Sequence, residues 1–186
     1  MLPIQNFKEA KKLTRHGLEA ELKAIILERD EIKIDRIHIL FDEAVVLDLK
    51  GPLGSKRLFE ILAERICGAI HLSRDEIIDL LLKREQEGTT AITPFMAVPH
   101  IIIPGSNTFK LVVVRCSQGV RFNKVNNSVK AIFVLFGTPD ERTFHLRVLA
   151  ALAQIADNKM FEERWLEAKT KGHLRDFLLL SERKRY

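Results

Sequence analysis

Cysteines are scarce in this sequence. Cys67 and Cys116 are the only two, they lie far apart, and neither belongs to a CxxC pair. Disulfide-rich secreted domains and zinc-ribbon sites both need several cysteines at short spacing. We therefore expect a chain from a reducing compartment, in which both thiols lie in the core.

The sequence also has no long apolar run. Stretches such as residues 131–136 are far shorter than the roughly 20 residues that a helix needs to span a bilayer. Residues 1–5 are not the basic segment followed by an apolar one that marks a secretory signal. These two absences predict a cytoplasmic protein.

Common short motifs of catalysis and cofactor binding are missing as well. The chain has no G-x-S-x-G elbow of serine hydrolases, no glycine-rich nucleotide loop and no HExxH or HxH metal motif. A metal site would need three or four ligands at compatible spacing. No cofactor and no metal ion is therefore expected.

The composition is that of an ordinary globular protein. Of the 186 residues, 46% are hydrophobic and 30% are charged. The net charge of +5 comes from basic residues scattered among 25 acidic ones, with one cluster at residues 183–185. No nucleic-acid partner is expected, because proteins that bind nucleic acid concentrate their basic residues in a patch or stripe.

Residues 1–44 differ from the rest and are predicted to form a helical extension or linker. They are rich in charges of both signs, and their apolar residues recur at helical spacing. The residues with this spacing are Leu18, Leu22 and Ile25, followed by Ile37, Leu40, Phe41 and Ala44. Such a helix packs on its own domain more often than on a partner or a membrane surface.

The remaining residues, 45–186, are predicted to form one α/β domain. Strand patterns occupy residues 45–49, 96–98, 109–115 and 129–136, with turns at Gln118-Gly119 and at residues 126–128. Helices are expected from Ser55, from Ser73 to about Arg84, from Thr138, from Lys159 and from Lys171. Ser73 with Glu76 and Thr138 with Glu141 have the spacing of capping boxes. This order predicts helices covering a central sheet.

His100 is the first candidate for chemistry. It follows Pro99 at the end of a predicted strand, and proline restricts the backbone that presents it. A histidine at a strand end is more often structural than functional, so the position alone decides nothing. A single imidazole can still accept a phosphoryl group when charge-stabilising groups lie nearby.

His145 and Arg84 are the candidates for such nearby groups. His145 lies on the apolar stripe of the helix that begins at Thr138, near the end where backbone amides favour an anion. A core histidine is the more frequent case for such a position. Arg84 ends the helix that begins at Ser73, where an arginine more often caps the helix or faces solvent.

Three segments together resemble the signature of type-2 enzyme IIA domains of the phosphotransferase system (PTS), the fructose, mannitol and nitrogen-regulatory class. They are Leu80-Leu81-Leu82-Lys83-Arg84-Glu85, Gly88-Thr89-Thr90 and Ala97-Val98-Pro99-His100. A later run, residues 134–137 followed by His145-Leu146 and Leu149-Ala150, is similar to that family's second-histidine helix. The resemblance covers nearly the whole family domain and implies a central mixed β-sheet covered by helices.

By this resemblance His100 is the phosphoryl acceptor, His145 its neighbouring histidine and Arg84 the active-site arginine. The implied activity is that of a phosphotransferase working through a phosphohistidine, without a metal ion or cofactor. The implied partners are the histidine phosphocarrier protein as donor and then an enzyme IIB or a membrane transporter. Thr90 could add a hydroxyl donor or serve only the turn, and the oligomeric state is left open.

The sequence departs from the family pattern on both sides of His100. Residues 92–96 are bulky and include a proline where the family has a glycine-rich segment, and Ile101-Ile102-Ile103 stands where glycine is frequent. A more apolar rim would change which partner docks. Residues 1–44 are also similar to segments that connect IIA-like domains to membrane permeases, which would place the protein at the inner face of the membrane.

Two functions therefore stay open. In the first, His100 accepts a phosphoryl group from the histidine phosphocarrier protein, and the phosphorylated domain regulates transport or metabolism. In the second, the domain is a non-phosphorylated binding module that regulates a membrane transporter, and its histidine is silent.

Overall fold

The computed structural model describes residue 17 and residues 20–25, 34–126 and 128–184, in two units that divide after residue 33. In the first unit, residues 20–25 are helical, and Leu22 and Ile25 are exposed. Leu18, the third residue of the predicted apolar face, lies outside the described residues. The elements below all belong to the second unit.

The second unit alternates helices and strands. Its helices are α1 (Arg36–Asp42), α2 (Ser55–Ile70), α3 (Arg74–Glu87), α4 (Arg142–Ala156), α5 (Phe161–Glu167) and α6 (Lys171–Leu180), with a 3₁₀ turn at Pro139–Glu141 before α4. Its strands are β1 (Val45–Leu49), β2 (Leu53–Gly54), β3 (Met96–Ala97), β4 (His100–Ile102), β5 (Phe109–Arg121) and β6 (Val129–Gly137). The predicted α/β class is confirmed. Within the described ranges, no helix has the length and apolar character of a membrane span.

The strands form one mixed sheet in the order β1-β5-β6-β3. The two long central strands, β5 and β6, are antiparallel, whereas β1 pairs with β5 and β3 with β6 in parallel. The short strands β2 and β4 also pair in parallel, with β5 and β6 respectively. This confirms the predicted central mixed β-sheet, and it places His100 opposite Leu135 of β6.

Hydrophobic layers cover both faces of the sheet. The central strands β5 and β6 are therefore buried on both sides. On one face, α1, α4, α5 and α6 pack around side chains such as Phe133 and Trp165. On the other, α2 and α3 pack around side chains such as Leu62 and Phe136. Cys116 is buried in this second layer, and Cys67 packs against it half-buried.

Helix α1 belongs to the compact unit, which begins at Ile34 and so precedes the predicted start at Val45. Phe41 of α1 is fully buried in the first layer. Asp35, which caps α1, forms a buried ion pair with Arg183 near the other end of the chain, at 2.7 Å. Because Asp35 and Arg183 are so far apart in the chain, no local sequence pattern could indicate this contact. That the residues before this unit act as a linker stays a prediction.

The turn predicted at Gln118-Gly119 is wrong, because β5 continues through it to Arg121. The pairing of β5 with β6 shifts register between Arg115 and Val120, which marks a bulge. Gly119 has a φ of 87°, a conformation that favours glycine, and its Cα faces the backbone of Ser128. The glycine therefore serves a bulge inside a strand.

The two predicted capping boxes have opposite outcomes. Ser73 and Glu76 form theirs at the start of α3. Thr138 and Glu141 do not: the Thr138 hydroxyl donates to the Thr108 carbonyl at 3.3 Å, and Glu141 accepts from Arg36 at 2.6 Å. Both side chains are taken by distant partners, so the chain enters α4 through a 3₁₀ turn instead.

We expect Gly119→Ala to lower the free energy of unfolding by roughly 1–3 kcal/mol. The added Cβ would lie 2.8 Å from the Cα of Ser128, and the positive φ disfavours any side chain. Urea unfolding at neutral pH measures the change. As a matched control, Gly68→Ala inside α2, where a Cβ meets no atom within 4 Å, should raise stability by up to about 1 kcal/mol. Equal effects of the two substitutions would contradict this account.

Candidate functional site

The three candidate residues come together where α3, α4 and β4 meet. Arg84 lies in the last turn of α3, His100 is the first residue of β4, and His145 lies in the first turn of α4. The pairing of β4 with β6 holds His100 beside the strand that leads into α4. The structure thus assembles in space the three residues that the sequence separates.

Two hydrogen bonds assign the tautomer of His100. Its Nδ1 lies 2.9 Å from the carbonyl oxygen of Val98, which can only accept, so Nδ1 must carry the proton. Its Nε2 lies 3.2 Å from Nε of Arg84, which can only donate, so Nε2 must carry the lone pair. The basic nitrogen of His100 is therefore Nε2, and it faces a guanidinium.

Arg84 is held in place by a second contact. Its Nη1 donates to the carbonyl oxygen of Gly88 at the end of α3, at 3.2 Å. The two contacts engage only part of the guanidinium, which presents five N–H donors in a planar fork. The arrangement leaves donors beside Nε2 of His100 for the oxygens of an anion.

His145 is buried, with 6% of its surface exposed, and packs edge-to-face against His100. The two ring centroids lie 5.1 Å apart, and the rings are inclined at 87°. The Phe109 ring contacts His145 in a similar edge geometry at 5.6 Å. The imidazole of His145 is thus confined between the ring of Phe109 and that of His100.

Both histidines have lowered pKa values. Burial is the main cause for His100; the nearby Arg84 cation lowers its pKa further, while the hydrogen bond to Val98 opposes the change. Burial, followed by the proximity of His100, lowers the pKa of His145 to about 4. Both rings are therefore neutral at pH 7, so His100 keeps its lone pair and His145 adds no positive charge.

A cavity of about 590 Å³ opens beside the two histidines. Its charged residues are Lys83, Arg84, Glu87 and Arg142, and its apolar rim includes Ile102 and Leu146, which are 51% and 61% exposed. The excess of cations suits an anionic group, and the exposed apolar side chains suit a partner protein. Within the described ranges, no cluster of three or more His, Cys, Asp or Glu side chains is placed to hold a metal ion.

Two further residues, Arg142 and Thr90, lie close to the three candidates. Arg142 is absent from the predicted site, although it precedes His145 by three positions and so shares its face of α4. Thr90, the other suggested donor, is buried and donates its hydroxyl to Glu85 at 2.6 Å. The hydroxyl of Thr90 is therefore engaged within the turn that follows α3.

Comparison with known proteins places the chain among PTS components. Residues 39–180 match the family model "Phosphoenolpyruvate-dependent sugar phosphotransferase system, EIIA 2". A fructose-specific PTS EIIA component of Haloferax volcanii is 27% identical over 106 residues, which cover 56% of this chain and 69% of that protein. A nitrogen regulatory protein of Klebsiella oxytoca is 26% identical over 128 residues, covering 67% of this chain and 78% of that protein.

Solved structures agree with these matches. The nitrogen regulatory protein IIA-Ntr from Neisseria meningitidis has a TM-score of 0.69 and 25% identity, covering 77% of this chain and 99% of that chain. The mannitol IIA from Escherichia coli has a TM-score of 0.59 and 17% identity, covering 72% and 94% respectively. The second likeness concerns the fold alone.

We expect His145→Gln to weaken the loss of stability at acid pH. The unfolded state binds the proton of His145 near pH 6.5 and the folded state only near pH 4, so between these values unfolding takes up protons and the free energy of unfolding falls with the pH. His145 then contributes up to about 3 kcal/mol at pH 7 that is lost toward pH 4. Urea unfolding across this pH range measures how steeply the free energy of unfolding depends on pH. Part of this dependence should remain in the variant, because the pKa of His100 is also lowered. A slope as steep as that of the wild type would contradict the assignment.

Proposed function

The chain belongs to the type-2 enzyme IIA family of the phosphoenolpyruvate-dependent sugar phosphotransferase system, and we propose that its His100 accepts a phosphoryl group on Nε2. One observation carries the proposal. Nδ1 of His100 donates to a backbone carbonyl, which leaves an unprotonated Nε2 directed at Arg84. A neutral imidazole with its free nitrogen beside fixed donors is suited to nucleophilic attack on phosphorus.

The transfer balances without a cofactor. The lone pair of Nε2 forms a bond to the phosphorus of a donor phosphohistidine, while the donor's phosphorus–nitrogen bond breaks and its electron pair returns to the donor nitrogen. Nδ1 keeps its proton throughout. The positive charge that develops on the His100 ring is stabilised by the Val98 carbonyl, which already accepts that proton.

Arg84 and His145 would stabilise the moving group. When the phosphoryl group reaches Nε2, the N–H of Arg84 that had pointed at this nitrogen can donate to a phosphoryl oxygen instead. The imidazole N–H of His145, edge-on to His100, can donate to another. Fixed donors aimed at the equatorial oxygens are the main catalytic device of phosphoryl transfer.

The donor in this proposal is the histidine phosphocarrier protein, which places the domain in the cytoplasm. The acceptor that follows is an enzyme IIB or a membrane transporter. We assign the domain to the regulation of transport or metabolism, because a phosphoryl group brings nearly two negative charges into a cavity with cationic walls. The bound phosphoryl group would thereby change the charge of the surface that a partner meets around the cavity.

One observation supports a second function, that of a binding module that is not phosphorylated. Ile102 and Leu146 are large apolar side chains, more than half exposed, on the rim of the cavity. Exposed apolar groups at a cavity mark surfaces that proteins cover on association. A transporter segment docked there would cover His100.

Phosphorylation tests the proposal directly. Incubation with enzyme I, the histidine phosphocarrier protein and phosphoenolpyruvate should add one acid-labile phosphoryl group to the wild type, detected by intact mass. His100→Gln should abolish the gain, because glutamine offers no nucleophilic nitrogen. The control His173→Gln, on α6 outside the cavity, should retain it. No gain in the wild type with carriers from the source organism would support the binding module instead.

Arg84→Lys should slow the transfer by roughly 10- to 100-fold and leave the fold intact. An ammonium group cannot reproduce the fork that contacts both the Gly88 carbonyl and His100. Rapid quenching followed by intact mass measures the rate, with Arg121→Lys at the exposed end of β5 as the matched control. A wild-type rate for Arg84→Lys would remove Arg84 from the proposed site.

A further inference from the structure

We propose that Glu85 is a positioning residue that selects the tautomer of His100. It would act through a relay of hydrogen bonds that passes from Glu85 to Thr90 and Val98 and ends on Nδ1 of His100; we call these three residues the Glu85 relay. The functional meaning of this inference rests on the proposed function, because it concerns which nitrogen of His100 is free to react.

The relay begins with a carboxylate that holds the turn after α3. One oxygen of Glu85, Oε2, accepts the hydroxyl of Thr90 at 2.6 Å and its backbone N–H at 3.3 Å. Thr90 is buried, with 6% of its surface exposed. Hydrogen bonds to an ionised acceptor are stronger than neutral ones. Because Glu85 follows Arg84 in the last turn of α3, the same helix end positions both the guanidinium and the turn.

The middle of the relay passes through the backbone. The carbonyl oxygen of Thr90 accepts the N–H of Val98 at 2.9 Å, and an antiparallel bridge joins the neighbouring Ala91 and Ala97. Val98 is therefore held through both of its flanking peptide units: its N–H donates to the Thr90 carbonyl, and its C=O accepts from Nδ1 of His100 at 2.9 Å. Anchoring the turn thus fixes where the Val98 carbonyl points.

That carbonyl decides which nitrogen is nucleophilic. A neutral imidazole carries its proton on either nitrogen, and the hydrogen bond made by one nitrogen sets the state of the other. With the Val98 carbonyl in place, the proton stays on Nδ1 and Nε2 is free. If the turn shifted, the proton could move to Nε2, which would then no longer attack a phosphoryl donor. Arg84 favours the same tautomer from the opposite side, so loss of the relay should shift the population rather than invert it.

The test reads the tautomer in the full chain before any phosphorylation. With ¹⁵N-labelled histidine, two-bond ¹H–¹⁵N correlation spectra near pH 8 report which nitrogen of His100 is protonated. The wild type should show Nδ1–H. Glu85→Ala should raise the Nε2–H fraction about tenfold, as expected for the loss of a hydrogen bond to a charged group, while Glu85→Gln, which keeps an acceptor oxygen, should restore most of the wild-type state.

Two controls keep the result interpretable. Asp79→Ala removes an exposed carboxylate from the same helix and should leave the tautomer unchanged. If Glu85→Ala does not fold, Thr90→Val removes the hydroxyl donor while keeping the side-chain volume, and the same shift is expected. A wild-type tautomer in the folded Glu85→Ala or Thr90→Val variant would overturn the inference.

This outcome is separable from that of the proposed function. A tautomer shift in the Glu85 variants combined with no phosphorylation of the wild type would sustain the relay and refute the phosphocarrier role. Phosphorylation of the wild type combined with an unchanged tautomer in the variants would support the phosphocarrier role and refute the relay.

Discussion

Two hydrogen bonds on opposite nitrogens of His100 set the tautomer of its ring, and the proposed phosphoryl transfer depends on that tautomer. The Val98 carbonyl accepts a hydrogen bond from Nδ1–H, and Arg84 donates an N–H to Nε2. Each bond depends on a separate part of the fold, since Val98 precedes β4 whereas Arg84 lies in the last turn of α3. The pairing of β4 with β6 and the packing of α3 on the sheet must therefore both be correct before Nε2 is left unprotonated beside Arg84.

Burial supplies the second constraint. His100 and His145 lie where the buried strand β6 leads into α4, and burial is the main cause of the lowered pKa of each ring. Because both pKa values are lowered, the two imidazoles are neutral at pH 7, and the domain loses stability at acid pH. Domains often keep such groups at functional sites although an apolar residue would be more stable.

Sequence patterns predict the features whose partners are close in the chain. The strand at Val45–Leu49 and the Ser73–Glu76 capping box depend on neighbouring residues and are both confirmed. Other features depend on contacts between residues far apart in the chain, which no local pattern reveals. Asp35, the cap of α1, pairs with Arg183, and Gly119 faces Ser128 where β5 continues through the predicted turn. The Thr138 hydroxyl donates to Thr108 instead of capping α4. For the site, motif resemblance alone grouped Arg84, His100 and His145, and no spacing rule could show the Val98 carbonyl that sets the tautomer.

The central claim is that Nε2 of His100 carries the phosphoryl group. Phosphorylation of the ¹⁵N-histidine-labelled chain, followed by ¹⁵N and ³¹P spectroscopy at alkaline pH, identifies the nitrogen bonded to phosphorus. The account predicts a phosphorus–nitrogen coupling at Nε2 of His100, with Nδ1 still directed at Val98. A phosphoryl group on Nδ1 of His100, or on His145, would contradict it.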